Sequence, residues 1–312
     1  MSNNKVKTSK RIVNWSKYNQ ALKKRGSLTL WISSDIEVDW YNKERTGEKG
    51  KPKVYSNTAI ELVLTVGKIY NQRLRQATGL VESIFKMHGI NLPVPDYTTL
   101  SRRGNIEVPI KVDPNKEDVH IIVDGTGLKM YGEGEWKVRK HGYTKHRMWK
   151  KLHIGIDENG EIRMVTLTNN NVTDADGYLK MEKQEKANIK SFRGDGGYDR
   201  MKIYENLKQR GDPEVIIPPQ RNAKIASHGN RKGEKHKRDE NLRQIRRSSR
   251  KSWKKKSGYH KRSIVESTMY RVKNTFTHKL NMRTEGNQLT EVRIMCKYLN
   301  EVMKLGMPEY ET

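Results

Sequence analysis

The chain has a single cysteine, Cys296, among its 312 residues. One cysteine excludes a disulfide framework and a thiolate zinc cage within one chain. Long apolar runs are missing too. No run of about 18 apolar residues occurs, so no membrane span is predicted. The basic N-terminus also lacks the apolar stretch of a secretory signal. We therefore expect a protein of the cytoplasm that has no membrane partner.

Apolar and acidic residues are both scarce. Hydrophobic residues make up 33% of the chain, which suffices for one or two modest cores joined by polar segments. The 36 acidic residues are outnumbered by 63 lysines and arginines, which gives a formal net charge of +27. A basic excess of this size favours nucleic acid as the partner.

Motifs for nucleotide cofactors and for zinc are also missing. The glycines between Gly125 and Gly134 are accompanied by no Walker lysine-hydroxyl pair and fit no dinucleotide fingerprint. We therefore expect no nucleotide cofactor such as ATP or NAD. His141, His146 and His153 lie in a basic stretch without a cysteine or carboxylate at zinc-like spacing. These histidines are expected to be loop or strand residues.

Helical periodicity begins at Asn57 and continues in two apolar stretches as far as Met87. After a Pro-rich turn, Asp96 is predicted to cap a short helix, 97–103, that carries Arg102 and Arg103. This order resembles a helix-turn-helix. We therefore predict that residues 1–112 form a helical region that binds DNA ends, with Arg102 and Arg103 as DNA contacts. A helical bundle whose last helix is merely solvated is the alternative.

Beyond Pro114 the apolar period changes to that of strands. The predicted elements are a strand over 119–123, a hairpin of 151–156 with 161–168, a helix over 174–186, a strand over 189–193, a helix over 199–209 and a strand over 214–217. This order predicts an α/β fold, in which residues 113–312 form a mixed sheet with helices packed on it.

Three carboxylates are expected to converge on this sheet. Asp124 is read as the end of the first strand, Asp195 follows a later strand, and Glu266 projects from a helix. Carboxylate oxygens suit Mg²⁺ or Mn²⁺, and two such ions about 3.5–4 Å apart can promote phosphoryl transfer. Asp174 and Asp199 are further candidate ligands, although helix N-capping explains them more simply. Each aspartate alone is also compatible with an ordinary turn.

Glu266 belongs to a predicted helical stripe of groups that bind phosphate. Tyr259, Arg262, Glu266 and Lys273 are separated by three, four and seven residues, which places them on one helical face. The adjacent stripe is apolar and consists of Val265, Met269, Val272 and Phe276. That stripe would dock the helix on a core and leave Glu266 facing a cleft.

The interval before this helix is strongly basic. Residues 221–262 contain 17 lysines and arginines but only 3 acidic residues. Such a segment predicts contact with DNA phosphates, and the alternative is a disordered basic loop. Trp253, which lysines follow, either stacks on an extruded base or anchors the segment to the core.

The motifs together resemble the catalytic blocks of DDE transposases encoded by bacterial insertion sequences. The blocks are DGTG at Asp124, GDGGYD around Asp195 and Y-x2-R-x3-E-x6-K from Tyr259. With DGTGLKMYGEGEWKVRKHG and the closing GMPE, the chain is similar to the insertion-sequence-five family. The resemblance implies a ribonuclease-H-like core in which Asp124, Asp195 and Glu266 bind two divalent ions, Mg²⁺ or Mn²⁺. It also implies that Tyr259, Arg262 and Lys273 hold the terminal phosphates of the transposon end.

The same resemblance implies an activity and an assembly. The expected protein binds double-stranded DNA at the terminal inverted repeats, cleaves a strand and transfers it into target DNA, as a homodimer or larger synaptic complex at the bacterial nucleoid. Many relatives carry a β-rich insertion where this chain has a basic insertion at about 218–257. Two alternatives stay open, namely a catalytically inactive DNA-binding protein derived from a transposase and a nuclease that never joins DNA.

Overall fold

The structure, a computed structural model, describes residues 11–28, 32, 36–43, 53–130, 149–226 and 236–311. The α-helices are α1 (Trp15–Arg25), α2 (Asn57–Ile69), α3 (Leu74–Met87), α4 (Tyr97–Arg103), α5 (Asp174–Met181), α6 (Met201–Gln209), α7 (Lys237–Arg247), α8 (Arg250–Lys256), α9 (Ser263–Phe276) and α10 (Glu285–Lys304). The strands are β1 (Asp118–Lys129), β2 (Trp149–Ile156), β3 (Ile162–Asn169), β4 (Asn188–Arg193) and β5 (Glu214–Ile216). Short 3-10 turns occur at Glu182–Gln184, Gly196–Tyr198 and Tyr259–Arg262.

The five strands form one mixed sheet in the order β3-β2-β1-β4-β5. The first three strands pair in antiparallel fashion, whereas β4 pairs parallel to β1 and β5 pairs parallel to β4. The predicted order of strands, hairpin and helices is therefore confirmed. A mixed sheet of this kind is consistent with the ribonuclease-H-like core that the resemblance implies.

The first strand is longer than the sequence pattern predicts. Pairing with β2 continues from Ile122 to Lys129, so Asp124 lies within the strand and does not end it. Gly125 and Gly127 are ladder residues opposite His153 and Lys151. Glycine weakens a strand and often marks a place where another group approaches the backbone closely.

Side chains from the two faces of the sheet enter two different hydrophobic cores. On one face, Ile122 and Leu128 of β1 pack with Val265 and Val272 of α9 and with helix α10. On the other face, Ile121 and Val123 pack with residues of α5 and α6. Successive strand residues point to opposite faces, which explains why Ile121, Ile122 and Val123 are all apolar. The predicted apolar stripe of α9 is confirmed, since Val265, Met269, Val272 and Phe276 are all buried.

The N-terminal helices form a third core. Trp40 and Phe85 lie at its centre, with their ring centroids 5.3 Å apart, and Ile294 of α10 contributes to the same cluster. Asp96 caps α4 as predicted, because its Oδ1 accepts a hydrogen bond of 2.8 Å from the Thr98 N–H. The helices are confirmed, but a helix-turn-helix is not, and the boundary at residue 112 stays a prediction.

The basic interval folds into a pair of helices where the structure describes it. Helices α7 and α8 form what we call the basic hairpin, residues 236–257. The disordered-loop alternative is therefore wrong for this part, while residues 227–235 lie outside the described ranges. None of the helices in the described part is both long and apolar enough to cross a membrane.

Candidate active site

Asp124 projects from the middle of β1 toward helix α9. It shares a strand face with Ile122 and Leu128, which pack against α9, because residues two and four apart in a strand point the same way. The Asp124 Oδ1 accepts a hydrogen bond of 2.9 Å from the Gly125 N–H. Burial raises the pKa of the Asp124 carboxyl, and the Gly125 N–H and Arg262 oppose that rise.

Asp195 is brought beside Asp124 by the parallel pairing of β1 and β4. Ile122 lies opposite Arg193 in that pairing, so Asp195 follows β4 at the level of Asp124. The Asp195 side chain caps the 3-10 turn Gly196–Tyr198 by accepting a hydrogen bond of 2.8 Å from the Gly197 N–H. The turn fixes this carboxylate at the carboxyl end of β4.

Glu266 completes the predicted set from the first turn of α9. The sequence predicts one helix over 259–273, but Tyr259 and Arg262 lie in a 3-10 turn that leads directly into α9. The Glu266 Oε1 accepts a hydrogen bond from Arg262 Nη2, and the Glu266 side chain is 53% exposed. The Glu266 carboxylate is therefore partly open to solvent. Lys273 lies in the last turn of α9, roughly 10 Å farther along the helix axis.

Arg262 stands among the three carboxylates. Its Nη1 lies 3.3 Å from Asp124 Oδ2, and its Nη2 contacts Glu266. Burial lowers the pKa of the guanidinium, but Tyr259 and the carboxylates of Asp124, Glu266 and Asp195 outweigh it, so the pKa is raised overall. Arg262 thus acts as the counterion of the whole acidic set. Its guanidinium carbon also lies 5.8 Å from the centroid of the Tyr259 ring.

A fourth carboxylate, Asp174, lies close to Asp195 and to β1, on the sheet face of Val123 and Gly125 and not on that of Asp124. A Cβ atom added at Gly125 would come within 2.3 Å of Asp174 Oδ1, and one added at Gly197 would come within 3.3 Å of Asp174 Oδ2. The glycines therefore make room for Asp174. The N-cap of α5 is Thr173, so the capping interpretation of Asp174 is wrong. A signal was present in the sequence, because β3 runs parallel to β1 and Asp174 follows its carboxyl end.

Asp174 also contacts basic side chains of β2. Its Oδ1 lies 2.8 Å from Lys151 Nζ and 3.7 Å from His153 Nδ1. His153 is fully buried, its Nε2 lies 2.9 Å from Thr168 Oγ1, and burial lowers its pKa to about 4. It is a strand histidine, as predicted, whereas His141 and His146 lie outside the described residues.

Asp199 has a structural role apart from these carboxylates. Its two oxygens accept hydrogen bonds from Arg238 Nε at 2.8 Å and Nη2 at 3.1 Å, and the Gln220 N–H donates to it at 3.0 Å. The N-cap of α6 is Arg200, so the capping interpretation of Asp199 is also wrong. Asp199 ties the basic hairpin to the sheet, a long-range contact that no local pattern indicates.

The remaining predicted DNA contacts differ in how accessible they are. Arg102 is exposed at the end of α4, whereas Arg103 donates hydrogen bonds to the Tyr55 carbonyl and, at 2.9 Å, to Asn57 Oδ1. Trp253 is only 2% exposed, and its Nε1 donates to Asn241 Oδ1 at 3.3 Å. Almost no indole surface is open to an extruded base. The anchoring interpretation of Trp253 is therefore the one that the structure supports.

The carboxylates around β1 and β4 are chemically suited to a hard divalent cation. Asp124, Asp174, Asp195 and Glu266 supply only carboxylate oxygens, which Mg²⁺ and Mn²⁺ prefer. Within the described ranges, no three His, Cys, Asp or Glu side chains stand close enough to hold one ion as they are. The Arg262 guanidinium contacts both Asp124 and Glu266 and offsets part of their charge. A cation at this position would replace that guanidinium charge.

Comparison with protein families agrees with this arrangement. Residues 115–299, which include Asp124, Asp195 and Glu266, match a family model described as a transposase DDE domain. Residues 23–133 match a second model with the same description. No solved structure matches the chain. Since the first model alone spans more than half of the 312 residues, the chain belongs to the DDE transposase family.

Proposed function

We propose that this chain is the transposase of a bacterial insertion sequence, of the insertion-sequence-five type. DDE transposases are enzymes that act on DNA, and they generally depend on divalent metal ions. The proposal is narrower: the protein binds the terminal inverted repeats of its element, cleaves a DNA strand there and joins that strand to target DNA. The observation that carries it is the convergence of Asp124, Asp195 and Glu266 around Arg262.

Both proposed reactions are displacements at phosphorus. In the first, a water oxygen bonds to the phosphorus of the element end, and the 3′ oxygen leaves and takes up a proton. In the second, that 3′ hydroxyl loses its proton as its oxygen attacks a phosphorus of the target strand, and the 3′ oxygen of the target leaves and takes up a proton. Because bond making and breaking are equivalent in the two steps, one set of residues serves both.

Asp124, Asp195 and Glu266 would hold two divalent ions, Mg²⁺ or Mn²⁺. When bound, these ions supply activation of the attacking oxygen and charge stabilisation of the leaving oxygen. The hydrogen bond from the Gly125 N–H would hold the Asp124 carboxylate in position. The hydrogen bond from the Gly197 N–H would hold the Asp195 carboxylate in position in the same way.

Tyr259, Arg262 and Lys273 would bind the phosphates of the element end. Arg262 is suited to this because its guanidinium can form two parallel hydrogen bonds to phosphate. In the DNA complex, the guanidinium would exchange its carboxylate partners for phosphate oxygens. Lys273 is proposed to bind phosphate because it stands at the lysine position of the Y-R-E-K spacing, which resembles that of the family.

The basic hairpin would follow the DNA backbone outside the active site. Arg246, Arg247, Lys251, Lys255 and Lys256 are all exposed on it. Contacts of this type release counterions from DNA and carry little sequence information. Because two element ends must be joined together, we propose a homodimer or larger synaptic complex. A DNA substrate implies that the protein works at the nucleoid, in the cytoplasm.

The test is an assay for joined products. The wild-type protein and a Glu266→Gln variant are incubated with labelled element-end duplex, a target plasmid and Mg²⁺. We expect nicked ends and end-to-plasmid products from the wild type only. Nicked ends without joined products would favour a stand-alone nuclease. Binding without nicking by the wild type would favour an inactive DNA-binding protein.

A further inference from the structure

A second basic feature lies on the helical region, apart from the catalytic carboxylates. It is a groove of about 810 Å³ between the start of α3, helix α4 and the segment that precedes α10. Its lining contains four arginines and no acidic residue. We call it the arginine groove, and the lining residues that matter are Arg73, Arg75, Arg102, Arg283, Tyr97 and Ser101.

The wall that carries Arg283 is held by a buried network. The Glu291 carboxylate is almost fully buried, forms an ion pair of 2.6 Å with Lys68, and accepts hydrogen bonds of 3.0 Å from the Asn281 and Met282 N–H groups. Gln288 Nε2 donates to the Met282 carbonyl at 3.0 Å and to the Arg283 carbonyl at 3.3 Å. The backbone on both sides of Arg283 is therefore fixed, while its side chain is exposed.

The opposite wall positions two more guanidinium groups. The Arg75 guanidinium carbon lies 4.3 Å from the centroid of the Tyr97 ring, a cation–π arrangement that orients the side chain. Arg73 Nη1 donates to Asn281 Oδ1 at 3.0 Å, which links the start of α3 to the Arg283 segment. Arg102 adds a fourth charge from the end of α4. The nearby Asp96 is engaged in capping α4.

These features point to an anionic ligand with several charges along its length. Guanidinium groups form forked hydrogen bonds to phosphate, and four of them along one groove match a run of backbone phosphates. We propose that the arginine groove binds the phosphate backbone of double-stranded DNA, independently of base sequence. This proposal rests on the proposed function, because it assigns to the groove the DNA on which the active site acts.

The path of the chain sets the groove apart from the active site. After α9 the chain runs beside the far end of β1, where Lys129 donates to the His278 carbonyl and accepts from the Leu280 N–H, each at 2.8 Å. Lys129 lies five residues beyond Asp124, which is roughly 16 Å along a strand. At about 3.4 Å per base pair, DNA that contacts both the groove and Asp124 would span a separation of roughly five base pairs or more.

This role differs from that of a recognition helix in the major groove. Helix α4 has only seven residues, and Arg103 is already bonded to Tyr55 and Asn57. Contacts with phosphates position DNA without reading its sequence. The arginine groove would therefore add affinity and register, and sequence discrimination would come from elsewhere.

The test is the salt dependence of DNA binding by the full chain. The wild type is compared with an Arg102→Gln/Arg283→Gln double variant on the element-end duplex and on an unrelated duplex of equal length. Each lost phosphate contact lowers the slope of log K against log salt by about 0.9. We expect a slope shallower by roughly 1.8 on both duplexes. A Lys24→Gln/Lys86→Gln variant removes the same charge from exposed positions outside the groove and should keep the wild-type slope.

Two results would overturn the proposal. An unchanged slope in the groove variant would show that the arginines do not neutralise phosphates. A loss confined to the element-end duplex would show that they read bases. If the wild type cleaves the element end but the groove variant keeps the wild-type slope, only the proposal for the arginine groove is wrong. If the wild type binds neither duplex, the proposed function fails with it.

Cross-linking supplies a second, positional test. Because Cys296 is the only cysteine and is fully buried, an Arg283→Cys variant can carry a photo-cross-linker at one exposed position. We expect cross-links several base pairs inside the element end. Cross-links confined to the terminal nucleotide would contradict the placement of the groove.

Discussion

Arg262 Nη1 lies 3.3 Å from Asp124 Oδ2, although 138 residues separate the two along the chain. The same guanidinium also donates to Glu266 Oε1. The positive charge that the acidic site requires is thus supplied by the protein itself. This arrangement makes Arg262 a competitor of any cation that binds the same carboxylates.

Replacing Arg262 by glutamine should tighten metal binding in the absence of DNA. Removal of the guanidinium leaves the charge of Asp124 and Glu266 unbalanced, so the affinity for Mn²⁺ should rise by roughly tenfold, or about 1.4 kcal/mol. Titration calorimetry with Mn²⁺ measures this directly. A Lys261→Gln variant removes an exposed neighbouring charge and serves as the control. Equal Mn²⁺ affinity in the Arg262 variant and the wild type would contradict the competition.

Replacing Asp174 by asparagine should weaken end cleavage without unfolding the protein. The Thr173 cap of α5 remains, but a carboxylate beside Asp124 and Asp195 is lost. Loss of a group that supports metal ligands typically costs about 10- to 100-fold, and we expect cleavage to fall by that factor at low Mg²⁺. The control is Asp176→Asn, which changes an exposed carboxylate two residues away. Equal cleavage rates for the two variants would exclude Asp174 from the site.

Trp253 should matter for stability more than for contact with DNA. Its indole is buried, so Trp253→Ala should lower the free energy of unfolding by about 3–5 kcal/mol. Trp15→Ala, at a position 52% exposed, should cost far less. Urea unfolding followed by circular dichroism compares them. The milder Trp253→Phe variant should keep its affinity for DNA within about twofold, and a large loss there with an intact fold would restore the stacking role.

The buried His153 should make stability fall as the pH is lowered. Its pKa is about 4 in the folded protein and about 6.5 when unfolded. Above pH 6.5 the imidazole is neutral in both states, and the effect is absent. As the pH falls from 6.5 toward 4, only the unfolded state gains the proton, which costs the fold up to about 3 kcal/mol. A His153→Gln variant should therefore lose less stability than the wild type between pH 7 and pH 4.5, and parallel losses would contradict this account.

Local patterns predicted much of the fold. Short apolar runs and alternating apolar residues located every strand of the sheet, and helical spacing placed Val265 and Val272 on the buried face of α9. Asp96 was identifiable as a cap because the interaction joins residues only two apart. These features depend on neighbours in the sequence, so the sequence contains the information.

The rest depended on contacts between distant segments. The sequence predicts that Asp124 ends a strand because the apolar run stops at Val123, and only the pairing with β2 extends β1 to Lys129. The sequence indicates a cap at Asp174, yet the space beside Gly125 and Gly197 brings its carboxylate close to Asp195 in the candidate active site. Trp253 is buried through the pairing of α7 with α8 in the basic hairpin. No spacing rule within one segment predicts such contacts.

The central claim is that Asp124, Asp195 and Glu266 form the active site, and cleavage of the labelled element end by single variants tests it most directly. Rates for Asp124→Asn, Asp195→Asn and Glu266→Gln are compared with Asp118→Asn, which changes an exposed carboxylate on the same strand as Asp124. Loss of a metal ligand removes several kcal/mol of transition-state stabilisation, or at least about 10³-fold in rate. We predict that loss for each of the three variants and a change within about twofold for Asp118→Asn. Full activity in any of the three would contradict the account.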